Sequence, residues 1–171
     1  RKEVIDLYQQ YQDESGQQIE PDVVAEVFRV TNGQPGLVSW FGELLTERYN
    51  LEKSIPVTLK NWSTVWLKAR FKEPNNTVMN LISKAREPDY QPFLLQLFSH
   101  SDIPFAFHEP VQNYLYLHGI LDSDIVCKPS GVETRVCRFS SPFVQECLYH
   151  ALSLELLGEH TQLLPLAPLD D

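Results

Sequence analysis

Apolar positions recur at helical spacing along most of the chain. Val4, Leu7, Tyr8 and Tyr11 fall at i, i+3, i+4 and i+7, which predicts a first amphipathic helix. The polar run Asp13-Glu14-Ser15-Gly16 ends it, with Gly16 free to take a left-handed stop. Glu20-Pro21-Asp22 opens a second helix whose apolar face is Val23, Val24, Val27, Phe28 and Thr31, and Asn32-Gly33 closes it. A third helix starts around Pro35, with Leu37, Val38, Phe41, Leu44 and Leu45 as its buried stripe. Residues 49–57 read as a loop containing Pro56. A fourth helix begins near Thr58 with Leu59, Trp62, Trp66 and Ala69 on one face, and Pro74 interrupts it. A fifth covers about 75–86 with the stripe Val78, Leu81, Ile82 and Ala85. Helices this short persist only by packing on one another, so residues 1–87 are expected to form a small bundle.

The pattern changes after Glu87-Pro88. A helix over about 89–99 carries Phe93, Leu94, Leu97 and Phe98, and the short segment Ile103-Pro104-Phe105-Ala106-Phe107 follows. Pro110 starts another helix with Val111, Tyr114, Leu115 and His118 on its inner face, stopped by Gly119. Two extended stretches, about 120–127 and 132–139, flank Pro129-Ser130-Gly131, which is hairpin chemistry. Ser141-Pro142 then opens a last helix with Phe143, Val144, Cys147, Leu148, Ala151 and Leu152 facing inward. Helix, helix, hairpin, helix is the order of a winged helix. The expected fold is mainly α: a helical bundle over 1–87, a winged-helix unit with one β-hairpin over 88–157, and a Leu- and Pro-rich tail or linker over 158–171.

Composition narrows the functional classes. The 171 residues carry a formal net charge of −9, which opposes general nucleic-acid binding, because phosphate neutralisation needs a surplus of Lys and Arg. Cys127, Cys137 and Cys147 are spaced unlike the close pairs of zinc sites and read as thiols of a reducing cytosol. With a hairpin turning at Ser130-Gly131, Cys127 faces about Thr134 and not Cys137, which argues against a disulfide across it. No apolar run approaches the ~20 residues of a membrane span and no signal peptide is visible, so a cytoplasmic location is expected. Asn61-Trp62-Ser63 and Asn75-Asn76-Thr77 match the glycosylation pattern by chance on that reading. The chain begins at Arg1, as if cut from a longer protein.

The stretch Thr31-Asn32-Gly33-Gln34-Pro35-Gly36-Leu37-Val38 is the most specific motif. With "SGQQIEPDVVAEVF" before it, and "YLYLHGILDSD" and "RVCRFSSPFVQECLYHAL" later, it resembles the C-terminal part of AAA-like ATPases of the signal-transduction type, over about residues 3–155. The resemblance implies a lid that closes over ATP or ADP held by a P-loop domain. That domain would precede this chain and supply the chemistry. Carried over, Gly33, Gln34 and Pro35 would lie beside the adenine. The residue types suit such a position, since Gly lets backbone approach a ligand, and Pro fixes the turn and offers a flat apolar surface. Asn32 stands where the family often has Gly, and Asn tolerates the left-handed conformation. A phosphate-reaching histidine is not placed by any motif among His108, His118 and His150, nor is a sensing arginine, although Arg29 and Arg48 flank the junction. The implied function is a non-catalytic, nucleotide-sensing lid and signal-relay segment, with protein partners, no metal and no tightly bound cofactor of its own.

Other readings compete. A winged helix can dock a protein, which makes the chain an adaptor, or read DNA, for which Gln112, Asn113 and Tyr116 are the candidate base-contacting residues. From Glu87 to Cys127 there is no Lys or Arg, while Glu87, Asp89, Asp102, Glu109, Asp122 and Asp124 are acidic, so duplex DNA would be repelled. Trp62 and Trp66 read as core, whereas Trp40 lies off its helix's main stripe and is a candidate contact with the absent domain. Glu43 and Glu47 read as a solvated face. No Walker motif, zinc-protease motif or nucleophile elbow occurs.

Overall fold

Prolines and side-chain caps set where the helices begin. The computed structural model describes residues 1–127 and 131–162, with side chains to residue 153. Its elements are α1 (Lys2–Ser15), α2 (Pro21–Thr31), α3 (Pro35–Glu43), a π-helical turn (Leu44–Arg48), α4 (Leu59–Phe71), α5 (Asn76–Ala85), α6 (Gln91–Ser99), α7 (Pro110–Leu117), β1 (Leu121–Cys127), β2 (Glu133–Phe139) and α8 (Pro142–Gln162). Pro21, Pro35, Pro110 and Pro142 each occupy a first helical position, where the missing N–H costs no bond and φ is already helical. Asn75 caps α5 by accepting from Val78 N at 3.0 Å, Glu109 caps α7 through Gln112 N at 3.0 Å, and Ser141 caps α8 through Val144 N at 3.2 Å. Asn61 Oδ1 accepts from Thr58 N at 2.8 Å at the head of α4. The asparagines of both glycosylation-like triplets are therefore committed to helix starts.

The fold is mainly α, a helical bundle followed by a winged-helix-like unit with one antiparallel hairpin, as the sequence pattern predicts. The two parts share one core, because α8 packs on α2 and α5 of the bundle as well as on β2. At its centre Phe41 meets Trp62, Trp66 and Phe143 with ring centroids 5.2, 6.2 and 5.2 Å away. Trp40 joins this nest, 5.7 Å from Phe143, with its side chain half-buried. No described helix is long and apolar enough to cross a membrane.

Several local expectations are corrected. Leu7 is half exposed, and Val30, not on the expected stripe, is fully buried. α3 does not end in an ordinary turn. Tyr49 N donates to Leu44 O at 3.1 Å, a π-type bond, while Thr46 Oγ1, Asn50 Nδ2 and Lys53 Nζ donate to the carbonyls of Gly42, Leu45 and Thr46 at 2.8, 2.6 and 2.7 Å. Three side chains thus hold the carbonyls of this widened turn. In the hairpin Cys127 faces Glu133 rather than Thr134, and Ser123 faces Cys137, so the register still keeps Cys127 and Cys137 apart. The candidate turn residues Pro129 and Ser130, with Lys128, lie outside the described residues. α8 continues past Gly158 to Gln162, where the sequence pattern predicts a linker; residues 163–171 lie outside the described ones.

No disulfide joins the three cysteines. Burial pushes the Cys137 thiol up to about 11 and the Cys147 thiol up to about 12. A raised value keeps sulfur protonated and unreactive, whereas Cys127 is exposed. An aromatic disulfide reagent at about pH 8 should label Cys127 rapidly and the other two only on unfolding. Peptide mapping after brief treatment checks this, and early labelling of Cys147 would contradict it.

Candidate functional site

The turn from Thr31 to Val38 is built by two consecutive left-handed residues, Asn32 at φ 53° and Gly33 at φ 76°. Asn32 N donates to Phe28 O at 2.8 Å and ends α2. Thr31 Oγ1 donates to Val27 O at 2.7 Å and accepts from Gly33 N at 3.2 Å, so one hydroxyl holds both sides of the bend. Gln34 N then donates to Thr31 O at 3.0 Å, and Gln34 O accepts from Leu37 N and Val38 N at 3.1 and 2.9 Å to start α3. The expectation that Asn32 would sustain a left-handed turn holds.

The turn sits at the seam between bundle and winged-helix-like unit. Asn32 Nδ2 donates to Ser140 O at 3.2 Å, across 108 residues of chain. A Cβ on Gly119 would lie 3.9 Å from Gln34 Nε2, so the Gln34 amide reaches the end of α7. Gln34 Oε1 and Ser140 Oγ are both buried and have no hydrogen-bond partner among the described residues. Pro35 and Gly36 are exposed, whereas Gly33 and Gln34 are half-buried. Gly33 serves space as well as conformation: a Cβ there would lie 3.3 Å from Phe28 Cε2. Gly33→Ala should therefore cost about 1–2 kcal/mol, from the left-handed backbone plus this contact. Urea unfolding checks it; an unchanged midpoint would mean that the turn relaxes freely.

The flanking charges are committed elsewhere. Arg29 forms a forked pair with Glu26 at 2.9 and 2.8 Å, and that bond raises the guanidinium's pKa while lowering the carboxyl's. Arg48 pairs with Glu73, whose carboxyl is held below its usual range first by the Tyr49 hydroxyl and then by Arg48. His108, His118 and His150 are exposed. His118 meets the Tyr114 ring edge-on at 4.2 Å, and His150 Nε2 lies 3.8 Å from Glu146 Oε1. Among the described residues none of the five is brought to the turn by a bond or ion pair. Among the described residues no three His, Cys, Asp or Glu side chains cluster as a metal site.

Two grooves lie near α3. One of about 310 Å³ is lined by Leu7, Tyr8, Tyr11, Val38, Gly42 and Glu43. The other, of about 340 Å³, is lined by Trp40, Arg70, Phe71, Asn75, Met79 and His150. Gly33, Gln34 and Pro35 line neither.

Comparison with family models, with curated proteins and with solved structures finds no match for this chain. The residues themselves are therefore the ground for any functional reading.

The DNA-reading alternative loses its first residue. Gln112 is buried, its Oε1 accepting from Ala106 N at 2.8 Å and its Nε2 donating to Pro104 O at 3.1 Å. It fastens the 104–106 segment to α7 instead of facing outward. Sequence reasoning missed Ser140 as a partner of the turn and Gly119 as its neighbour. Ser140-Ser141-Pro142 was legible as a helix start, but nothing local says which distant backbone its carbonyl meets.

Proposed function

We propose that the chain is a nucleotide-sensing lid and signal-relay segment of a multidomain AAA-like ATPase, itself non-catalytic. Gly33, Gln34 and Pro35 would face the base of ATP or ADP held by a P-loop domain of the same protein. The observation that carries this reading is the two-sided placement of the turn. Pro35 is exposed at the head of α3, while on the same bend Asn32 bonds to the Ser140 carbonyl and Gln34 lies near Gly119. A purine pressed against Pro35 would push on a bend tied to the start of α8, so bundle and winged-helix-like unit would swing together. Such a hinge is a two-state element that a ligand biases only through different contacts in its two states.

The test uses the natural protein in full. ADP carrying a photoreactive azide on the adenine should label the peptide spanning Thr31 to Val38. Pro35→Ala should weaken ADP binding about threefold to tenfold, the scale of one lost apolar contact. Labelling confined to other segments, or a natural protein without a phosphate-binding loop, would overturn the reading.

The second reading, a protein-docking adaptor, has its own observation. Phe107 at 51%, Tyr116 at 36% and Ile125 at 58% exposure are exposed apolar side chains on the winged-helix-like unit. Phe107 meets Tyr116 at 5.3 Å, and Arg135, opposite Ile125, lies 5.8 Å from the Phe107 ring. Exposed aromatic and aliphatic side chains grouped around an arginine suit a protein partner.

A further inference from the structure

Among the described residues, one edge of the hairpin is open. Ser140 N donates to Ile120 O at 2.9 Å immediately before the ladder, and bonded and non-bonded pairs alternate along an antiparallel pair. With Leu121 facing Phe139 and Ile125 facing Arg135, the N–H and C=O groups of Leu121, Ser123 and Ile125 point away from β2. The far side of β2 is covered, because Cys137 N donates to Ile103 O at 2.8 Å and Phe105 N to Arg135 O at 2.9 Å. β1 has no such neighbour among the described residues.

Two of the outward amides are held by acid. Ser123 N donates to Asp122 Oδ1 at 2.7 Å, and Ile125 N to Asp124 Oδ1 at 2.9 Å. Each aspartate covers the amide of its own successor. Charged residues on an edge strand keep it from pairing indiscriminately, and here they also define what can pair. Asp122 and Asp124 share one face of the strand, and the exposed Ile125 lies on the other. No basic residue lies on β1 itself.

We infer that the outer edge of β1 docks an extended segment of a protein partner with Lys or Arg at alternate positions and an apolar residue between them. The incoming basic side chains draw the two carboxylates off the Ser123 and Ile125 amides, which then bond to the added backbone. The intervening apolar residue lands beside Ile125 and joins the exposed group that includes Arg135, Phe107 and Tyr116. A second copy of β1 is a poorer occupant. Central antiparallel registers would set Asp124 against Asp124 or Asp122 of the other copy, between chains that each carry −9. The inference stands on the hairpin and not on the nucleotide reading.

The experiment titrates this chain with a short blocked peptide of alternating lysine and valine. It follows amide exchange at Ser123 and Ile125 by NMR and affinity by anisotropy. Exchange at both amides should slow, and the glutamate-valine counterpart should leave it unchanged. The double variant D122N/D124N keeps each local cap but removes the charge, and should weaken binding about threefold to tenfold. E3Q/D6N on α1 changes net charge equally and should not. Unchanged exchange under saturating peptide would overturn the inference. So would undiminished binding of a peptide N-methylated along its bonding edge, equal weakening by E3Q/D6N, or a β1-mediated dimer in sedimentation without peptide.

Discussion

Phe143→Ala should remove about 3–5 kcal/mol of folding stability, the range for emptying a fully buried aromatic site. Phe143 is 1% exposed and lies in the first turn of α8, yet its ring neighbours are Trp40, Phe41 and Trp66 at 5.7, 5.2 and 5.7 Å. It is thus the point where the last helix of the winged-helix-like unit enters the aromatic centre of the bundle. The large rings around it cannot collapse into the gap without leaving their rotamers, so the cavity term should be near its upper range. A domain of this size is stable by about 5–15 kcal/mol, which makes the loss a large share of the total. Phe107→Ala removes the same atoms from a ring that is 51% exposed, and should change stability by about 0.5 kcal/mol or less. Urea unfolding followed by tryptophan fluorescence and by circular dichroism measures both. For the natural chain the two signals should coincide, because the core is continuous across residues 87 and 88. A loss below about 1 kcal/mol for Phe143→Ala would mean that α8 does not anchor in the bundle.

What could be read from the chain alone was what short-range physics decides. Prolines at the heads of α2, α3, α7 and α8 fix φ and lack a donor, so they can stand at few other places in a helix. The stripe Leu37, Val38, Phe41, Leu44 and Leu45 is buried throughout because one periodicity carries it. The hairpin was legible and its register missed by one, since register depends on loop geometry: five residues, 128–132, separate Cys127 from Glu133. The π-helical turn was not legible, because its carbonyls are held by Asn50 and Lys53 from the following loop. Nor was the burial of Gln112, which depends on backbone groups of a segment that the periodicity leaves unassigned. The same division holds at the candidate site. The left-handed Asn32-Gly33 step follows from residue type, whereas its tie to Ser140 spans 108 residues and has no local signature.

Gln17 should be the most costly polar position to alter. It is fully buried; its Oε1 accepts from the Tyr11 hydroxyl at 2.9 Å, and its Nε2 donates to Ile55 O at 3.1 Å and Asn50 O at 3.4 Å. The same hydroxyl accepts from Lys53 Nζ at 2.9 Å, and Lys53 also reaches Thr46 O and Glu47 at 2.7 and 2.8 Å. One amide therefore joins α1, the loop after the π-helical turn and, through Lys53, the turn itself. Gln17→Leu keeps the volume roughly but strands the Ile55 carbonyl and the Tyr11 O–H, each costing about 1–3 kcal/mol, so a loss of about 2–6 kcal/mol is expected. Gln17→Glu separates polarity from hydrogen-bond pattern. Its carboxylate could still accept from Tyr11, but its other oxygen would face two carbonyl oxygens in a buried site. Lys53 is near, although it reaches this position only through the Tyr11 hydroxyl. Burial and the carbonyls should raise the folded-state pKa of the introduced carboxyl above its unfolded value of about 4.3. A raised carboxyl value means that the folded form holds the proton more tightly. The variant should therefore approach the natural chain below about pH 4 and fall progressively behind it as pH rises towards 7. Urea midpoints of the two chains compared at each pH test this. A gap that is constant with pH would show that the substituted side chain has swung out to water.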